Sequence, residues 1–209
     1  MKNSLIILIV FFGGIAVGKL GMVPESFPAD ELASWTLYVL IAIVGYDLGN
    51  RSFSKTIRSI TPRVILLPLA TIVGTLLFVG VAGMIFLPGI ELNDCLAIGS
   101  GLGYYSLSSM LVMDLRAAHV GAQMAAELGI IALLANLIRE MIALVGMPFI
   151  RKVFGYYAPI CASGVTSIDV TLPMIMRTCG TEAMPLAVIH GAVLEFMVPV
   201  LVTLFCAGF

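Results

Sequence analysis

Residues 162–173 read Ala162-Ser163-Gly164-Val165-Thr166-Ser167-Ile168-Asp169-Val170-Thr171-Leu172-Pro173. One carboxylate stands among hydroxyls, with a glycine upstream and a proline downstream. The run is too polar to face lipid and too apolar for a surface loop. An ionisable residue at membrane depth usually marks an ion or substrate pathway. The structural alternative is that Asp169 caps a helix beginning near Val170. The choice depends on what surrounds this stretch.

What surrounds it is apolar. Hydrophobic residues make up 60% of the 209 and charged residues 11%, with a mean hydropathy of +1.11. Soluble domains carry about a quarter charged residues, so lipid must be the main solvent of this chain. The net charge of −1 is unevenly spread. Arg51, Lys55, Arg58 and Arg63 form a basic cluster, and Glu25, Asp30 and Glu31 an acidic one. No basic patch is interleaved with aromatics, so nucleic-acid binding has no support. Cys95, Cys161, Cys179 and Cys206 are widely spaced without a CxxC, and read as apolar fillers rather than a disulfide framework or metal site. Met1-Lys2-Asn3 followed by an apolar run could pass for a signal peptide, with Ala16-Val17-Gly18 as its cleavage site; it is read here as a retained first span.

A span needs about 20 mostly apolar residues. Five segments qualify: Ser4–Leu20, Ala33–Gly49, Val64–Pro88, Ala125–Met147 and Met184–Ala207. Two stretches between them do not read as simple spans, Asp94–Val120 and Ala158–Gly180, both rich in glycine and hydroxyls. The positive-inside rule puts the Arg51–Arg63 loop, Arg151-Lys152 and the N-terminus in the cytoplasm, with the acidic Glu25–Glu31 loop and the Glu91–Asp94 turn outside. Counting crossings then requires the first polar stretch to enter from and return to the outside, and the second to do the same from the cytoplasmic side. The expected fold is an all-α integral membrane protein, residues 1–209 forming one transmembrane domain. It has about five full transmembrane helices plus two oppositely entering re-entrant, broken helical hairpins, as in inverted-repeat transporters. The alternative is that each polar stretch is one poor helix whose small residues serve close packing.

Several residues can carry chemistry. The first polar stretch holds Gly99-Ser100-Gly101-Leu102-Gly103-Tyr104-Tyr105-Ser106-Leu107-Ser108-Ser109. Its GxGxG is not a dinucleotide fingerprint, because no strand precedes it. The glycines instead open the helix and let backbone groups face a ligand, while Tyr105, Ser106 and Ser108 add hydroxyls. Asn136, Arg139 and Glu140 lie at i, i+3 and i+4 and share a helix face; they read as substrate contacts or as structural glue. In the second stretch Thr166, Ser167 and Thr171 flank Asp169, whose carboxylate is expected to be shielded from water. His190 can relay protons or simply pack, and Asp47 reads as an interfacial acid. Asp169, Glu140 and His190 are the candidates for proton coupling. An enzyme is poorly supplied: there is no HExxH, His119 and His190 are far apart, and Asp47 and Asp169 are the only candidates for an aspartyl dyad. No cofactor and no metal are expected.

Taken in order, Gly101 to Ser108, Asn136 with Arg139-Glu140, Thr166 to Pro173, His190-Gly191 and Pro199 resemble the bacterial lysine exporter family (LysO) over nearly the whole chain. Asp169 matches the family's intramembrane aspartate in a TSMD-type motif. Tyr105, Ser106 and Ser108 match its GWYSLSG-type segment, and Arg139-Glu140 its RE pair. Tyr104, Ser109 and Glu195 depart from the family's usual tryptophan, glycine and neutral residue. The resemblance implies a secondary transporter exporting lysine or a similar cationic amino acid across the bacterial inner membrane. Exchange with protons is the coupling expected here. Full-length members carry about three further N-terminal spans, as the resemblance implies. The expected partners, besides lysine and the lipid bilayer, are therefore a second copy or a small membrane protein supplying those spans. The alternative is a non-transporting membrane subunit that stabilises or regulates a partner.

Overall fold

A computed structural model describes residues 13–14, 16–20, 28, 32, 35–36, 39 and 62–207. The predicted spans Ser4–Leu20 and Ala33–Gly49, the acidic cluster, Arg51, Lys55 and Arg58 of the basic cluster, and Asp47 lie outside the described residues, apart from those scattered positions. Helices are numbered from Pro62 onward. Among the described residues the structure is all-helical, and three helices are long and apolar enough to cross a membrane.

The first, α1 (Pro62–Phe86), starts at a proline, which suits a first-turn position, and stops before Leu87-Pro88-Gly89. The second, α4 (Ala122–Phe154), has 33 residues and so is about 50 Å long. It runs seven residues past the expected end at Met147. Arg151 and Lys152 in its last turn suit the negative end of the helix dipole, and Gly155, at φ 91°, ends it. The third, α7 (Met184–Cys206), again has a proline in its first turn.

Between α1 and α4 lie α2 (Leu92–Gly99) and α3 (Tyr105–Val120). Between α4 and α7 lie α5 (Ala158–Ser163), a 3-10 turn over Gly164–Ile168, and α6 (Leu172–Cys179). These are the two polar stretches, and each is broken in the middle. Each also folds back on itself. Arg116 near the end of α3 lies 2.6 Å from the Asp94 carboxylate at the start of α2. Cys179 at the end of α6 donates a 3.6 Å hydrogen bond to the carbonyl of Tyr156, just before α5.

The two folded segments sit at opposite ends of the three long helices. One apolar cluster joins Ile98, Leu107 and Leu111 of the first segment to Leu128 and Ala132 early in α4 and to Leu194 through Cys206 late in α7. A second joins Ile160 and Ile175 of the other segment to Met147 late in α4 and to Ala187 early in α7, with Leu67 of α1 against it. Hence α1 and α7 run one way and α4 the other. Lipid gives no hydrophobic drive between helices, so close contact of small residues matters. Gly191 of α7 is such a place: a Cβ there would come within 2.8 Å of the Ile168 nitrogen and of the Val165 carbonyl oxygen.

The outer faces are apolar. Leu77, Phe78, Val81 and Phe86 of α1, Ile142, Val145 and Phe149 of α4, and Phe196 of α7 are exposed. A surface of this kind and extent requires a non-aqueous neighbour.

Candidate functional site

The breaks of the two polar segments touch. The Val165 N–H of the second donates a 2.9 Å hydrogen bond to the Leu102 carbonyl of the first. Leu102 takes a left-handed backbone (φ 48°), and so does Gly164 (φ 62°). A Cβ on Gly164 would fall on the Leu102 carbonyl oxygen, so only glycine fits at this crossing. Glycines do open the helix in the first segment, as expected. The backbone they expose faces the second break and α4.

The shared polar face of α4 explains how two interrupted helices are held. Asn136 serves the first break: its Oδ1 accepts from the Gly103 N–H at 2.8 Å, and its Nδ2 lies 3.2 Å from the Ile98 carbonyl at the end of α2. That nitrogen also reaches Ala132 O and Ser108 Oγ. Arg139, one turn on, serves the second. Its Nε and Nη2 donate to the carbonyls of Ala162 and Cys161 at 3.2 and 3.0 Å, the C-terminal end of α5, and Nη1 donates to Thr75 of α1. A cation at exposed helix-end carbonyls is favourable. The described bonds of Arg139 therefore go to backbone carbonyls and a hydroxyl, as in the structural-glue reading of this face.

The hydroxyls of the second break serve its own backbone. Thr166 donates to Ser163 O at 2.8 Å and Thr171 to Thr166 O at 2.9 Å. Ser167 donates to Ala187 O of α7 at 2.9 Å and lies 3.1 Å from His190 Nδ1. Ser108, buried, reaches Tyr105 O at 3.4 Å, and Ser106 is half-buried.

Asp169 differs from expectation in two ways. Its side chain is exposed, because the chain turns outward at the end of the 3-10 turn, into a cleft of about 410 Å³ lined with Leu172, Pro173, Met176, Arg177 and Thr181. Nor does it cap a helix: α6 begins at Leu172, after Thr171, with no side-chain cap, and the Asp169 carboxylate accepts from the adjacent Val170 N–H. Glu140 is buried, 1% exposed. The Tyr105 hydroxyl lies within electrostatic range of both the Glu140 and the Asp169 carboxylates. Tyr105 is thus within electrostatic range of both carboxylates, while Asn136, Arg139, Thr166 and Thr171 bond to the backbone of the two breaks. No cluster of three or more His, Cys, Asp or Glu side chains suited to a metal occurs among the described residues.

Three contributors were not read from the sequence. Arg116 and Asp94 close the first segment, and the available signal was opposite charge at the two ends of one predicted hairpin. Thr71 of α1 binds His190, and a single threonine in an apolar span carries no signal of its own.

Broken polar segments packed between long apolar helices mark a membrane-embedded helical protein. The chain belongs to the lysine exporter LysO family, whose model matches residues 8–206. It is 31% identical over 197 residues to the lysine exporter LysO of Escherichia coli K12, a match covering 93% of this chain and 61% of that protein. The chain thus spans about three fifths of that relative. It is 30% identical over 199 residues to a Haemophilus influenzae Rd protein whose name assigns it lysine export provisionally, with 92% of each covered. No solved structure gives a significant match.

Proposed function

We propose that this chain exports lysine, or a similar cationic amino acid, across the bacterial inner membrane by exchange with protons. The observation that carries the reading is the meeting of two helix breaks beside Glu140, Tyr105 and Asp169. Unwound backbone at membrane depth is tolerated only where it is buried in protein or lines a watery cavity. In inverted-repeat transporters such breaks hold the substrate. The two segments are read as opposed re-entrant hairpins of one transporter unit, residues 1–209, with the N-terminus and the Arg151-Lys152 end in the cytoplasm. Membership of the LysO family supports lysine as the cargo.

In this reading Asp169 and Glu140 receive the substrate ammonium groups or protons in exchange. The α3 N-terminus, with Tyr105 and Ser106, receives the substrate carboxylate, since a helix N-terminus favours negative charge. Asn136, Arg139, Ser108, Thr166, Ser167 and Thr171 act by holding the breaks in place. Asp169→Asn keeps size and one hydrogen-bonding oxygen but removes the charge. Its expected phenotype is normal membrane abundance with lysine efflux lost, and with it resistance to toxic lysine analogues in a strain lacking other exporters. Asp47→Asn should be much milder. Near-normal efflux from Asp169→Asn with failure of Asp47→Asn would move the site toward the second predicted span.

A second reading is a non-transporting membrane subunit that stabilises or regulates a partner membrane protein. Lysine flux in liposomes from the purified chain, alone and with any neighbouring small membrane protein, separates the two.

A further inference from the structure

The cleft into which Asp169 opens, about 410 Å³, falls in the size range of small-molecule sites. Leu172, Pro173, Met176 and Arg177 line it from α6. At i, i+1, i+4 and i+5 these four share one face of the helix, so the cleft runs along it. Asp169 stands just before the first turn of α6, and Arg177 lies in the last. From Leu172 to Arg177 the helix rises about 7.5 Å. Thr181, two residues past the end of α6, lines the cleft as well. Asp169, Arg177 and Thr181 are all exposed.

One end of the cleft thus carries a carboxylate, and the other a guanidinium and a hydroxyl, with apolar side chains between them. A ligand that fits has a cationic group, an aliphatic stem and an anionic group, in that order. A cationic amino acid with a long side chain has all three. Its amide or a plain diamine lacks the anion, and a neutral amino acid lacks the terminal cation. The planar fork of arginine matches a carboxylate better than any other side chain does. Arg177 also suits the negative end of the α6 dipole. That role is met wherever the side chain points, and it does not require Arg177 to line the cleft that holds Asp169.

We propose that this cleft is the cytoplasmic entry site, where Asp169 takes the side-chain ammonium of a cationic amino acid and Arg177, with Thr181, takes its α-carboxylate. The proposal rests on the exporter reading, which puts the Arg151-Lys152 end of α4 in the cytoplasm. The second broken segment packs at that end, through Ile160 and Ile175 against Met147. Asp169 also belongs to the next site inward, since the Tyr105 hydroxyl lies within electrostatic range of its carboxylate. The ammonium therefore keeps its partner while the carboxylate passes from Arg177 to Tyr105 and the α3 N-terminus. Exposed ion pairs are individually weak, so selectivity comes from reading both charges of one molecule together. Arg177 is then the residue that tells an amino acid from its amide.

The test uses everted membrane vesicles from cells lacking other lysine transporters, so that the cytoplasmic face meets the medium. Vesicles preloaded with lysine take up labelled lysine by exchange, and unlabelled lysine or lysinamide competes. Lysinamide keeps the stem and both ammonium groups and loses only the negative charge. In wild type, lysine should compete at a concentration about tenfold below that of lysinamide, the scale of one charge-assisted hydrogen bond. Arg177→Gln should raise the half-saturating lysine concentration about tenfold and bring the two competitors level. Arg177→Lys, which keeps the positive charge and its topology signal, should keep lysine ahead. A merely structural role for Arg177 would weaken both competitors alike. Lysine still ahead in Arg177→Gln therefore overturns the entry site, as does lysinamide matching lysine in wild type, and in either case the exporter reading stands. If wild-type vesicles exchange no lysine, the exporter reading falls, and the entry site with it.

Discussion

Gly164 is the residue on which the contact of the two breaks depends. Its left-handed backbone and its contact with the Leu102 carbonyl leave no room for a side chain. Gly164→Ala should therefore cost on the order of 3 kcal/mol, combining backbone strain with overpacking. The expected outcome is a lower unfolding temperature in detergent and reduced membrane abundance. An alanine variant as stable as wild type would mean that the two breaks do not touch. Asn136 and Arg139 act at the same scale. Each is a single polar side chain satisfying backbone groups that a broken helix leaves without partners, and neither could be replaced by an apolar residue without orphaning them.

At the scale of elements, α2 and α3 are tied at their far ends by Arg116. Its Nη2 lies 3.2 Å from Asp94 and 3.4 Å from Glu91, and Nη1 donates to Cys206 O at the end of α7. Arg116 and Asp94 are both buried, at 5% and 4% exposure, so removing one partner strands the other. Arg116→Leu alone should destabilise the protein by about 3–5 kcal/mol, whereas Arg116→Leu with Asp94→Leu should recover most of that. Thermal unfolding of the single and double variants checks this, and equal losses in both would show that the pair does not bridge the segment. The same ion pair explains why α2, only eight residues long, holds its position. An isolated helix of that length is not stable.

For the whole molecule, the charge pattern and the helix directions make one joint prediction. The turn before α4 should face outside and the end of α4 should face the cytoplasm. In a background lacking the four native cysteines, Gln123→Cys should react with an impermeant thiol reagent in intact cells, and Lys152→Cys only after permeabilisation. The reverse pattern would invert the topology and exchange the faces of the two hairpins. The exposed apolar face of α1 bears on assembly. A detergent-corrected mass should give an oligomer or a complex with a second small membrane protein. A lone monomer that transports lysine would overturn that expectation.

Composition and charge pattern alone were enough to establish a membrane chain. Span length and glycine–hydroxyl content located α1, α4, α7 and both broken segments, because apolar length and helix-breaking residues are local properties. The polar face of α4 was likewise legible, since i, i+3 and i+4 spacing is a property of the helix itself. Which group each side chain serves was not legible. Arg139 read as a substrate contact or as structural glue, and only the fold shows that it binds carbonyls of α5; Asp169 read as shielded, yet it lines an open cleft. Thr71 could not be linked to His190, 119 residues away. Those assignments depend on where a carbonyl from another element lies in space, and local sequence carries no record of it. The touching of Leu102 and Val165 belongs to the same class, because a backbone hydrogen bond between two loops leaves no side-chain pattern to read.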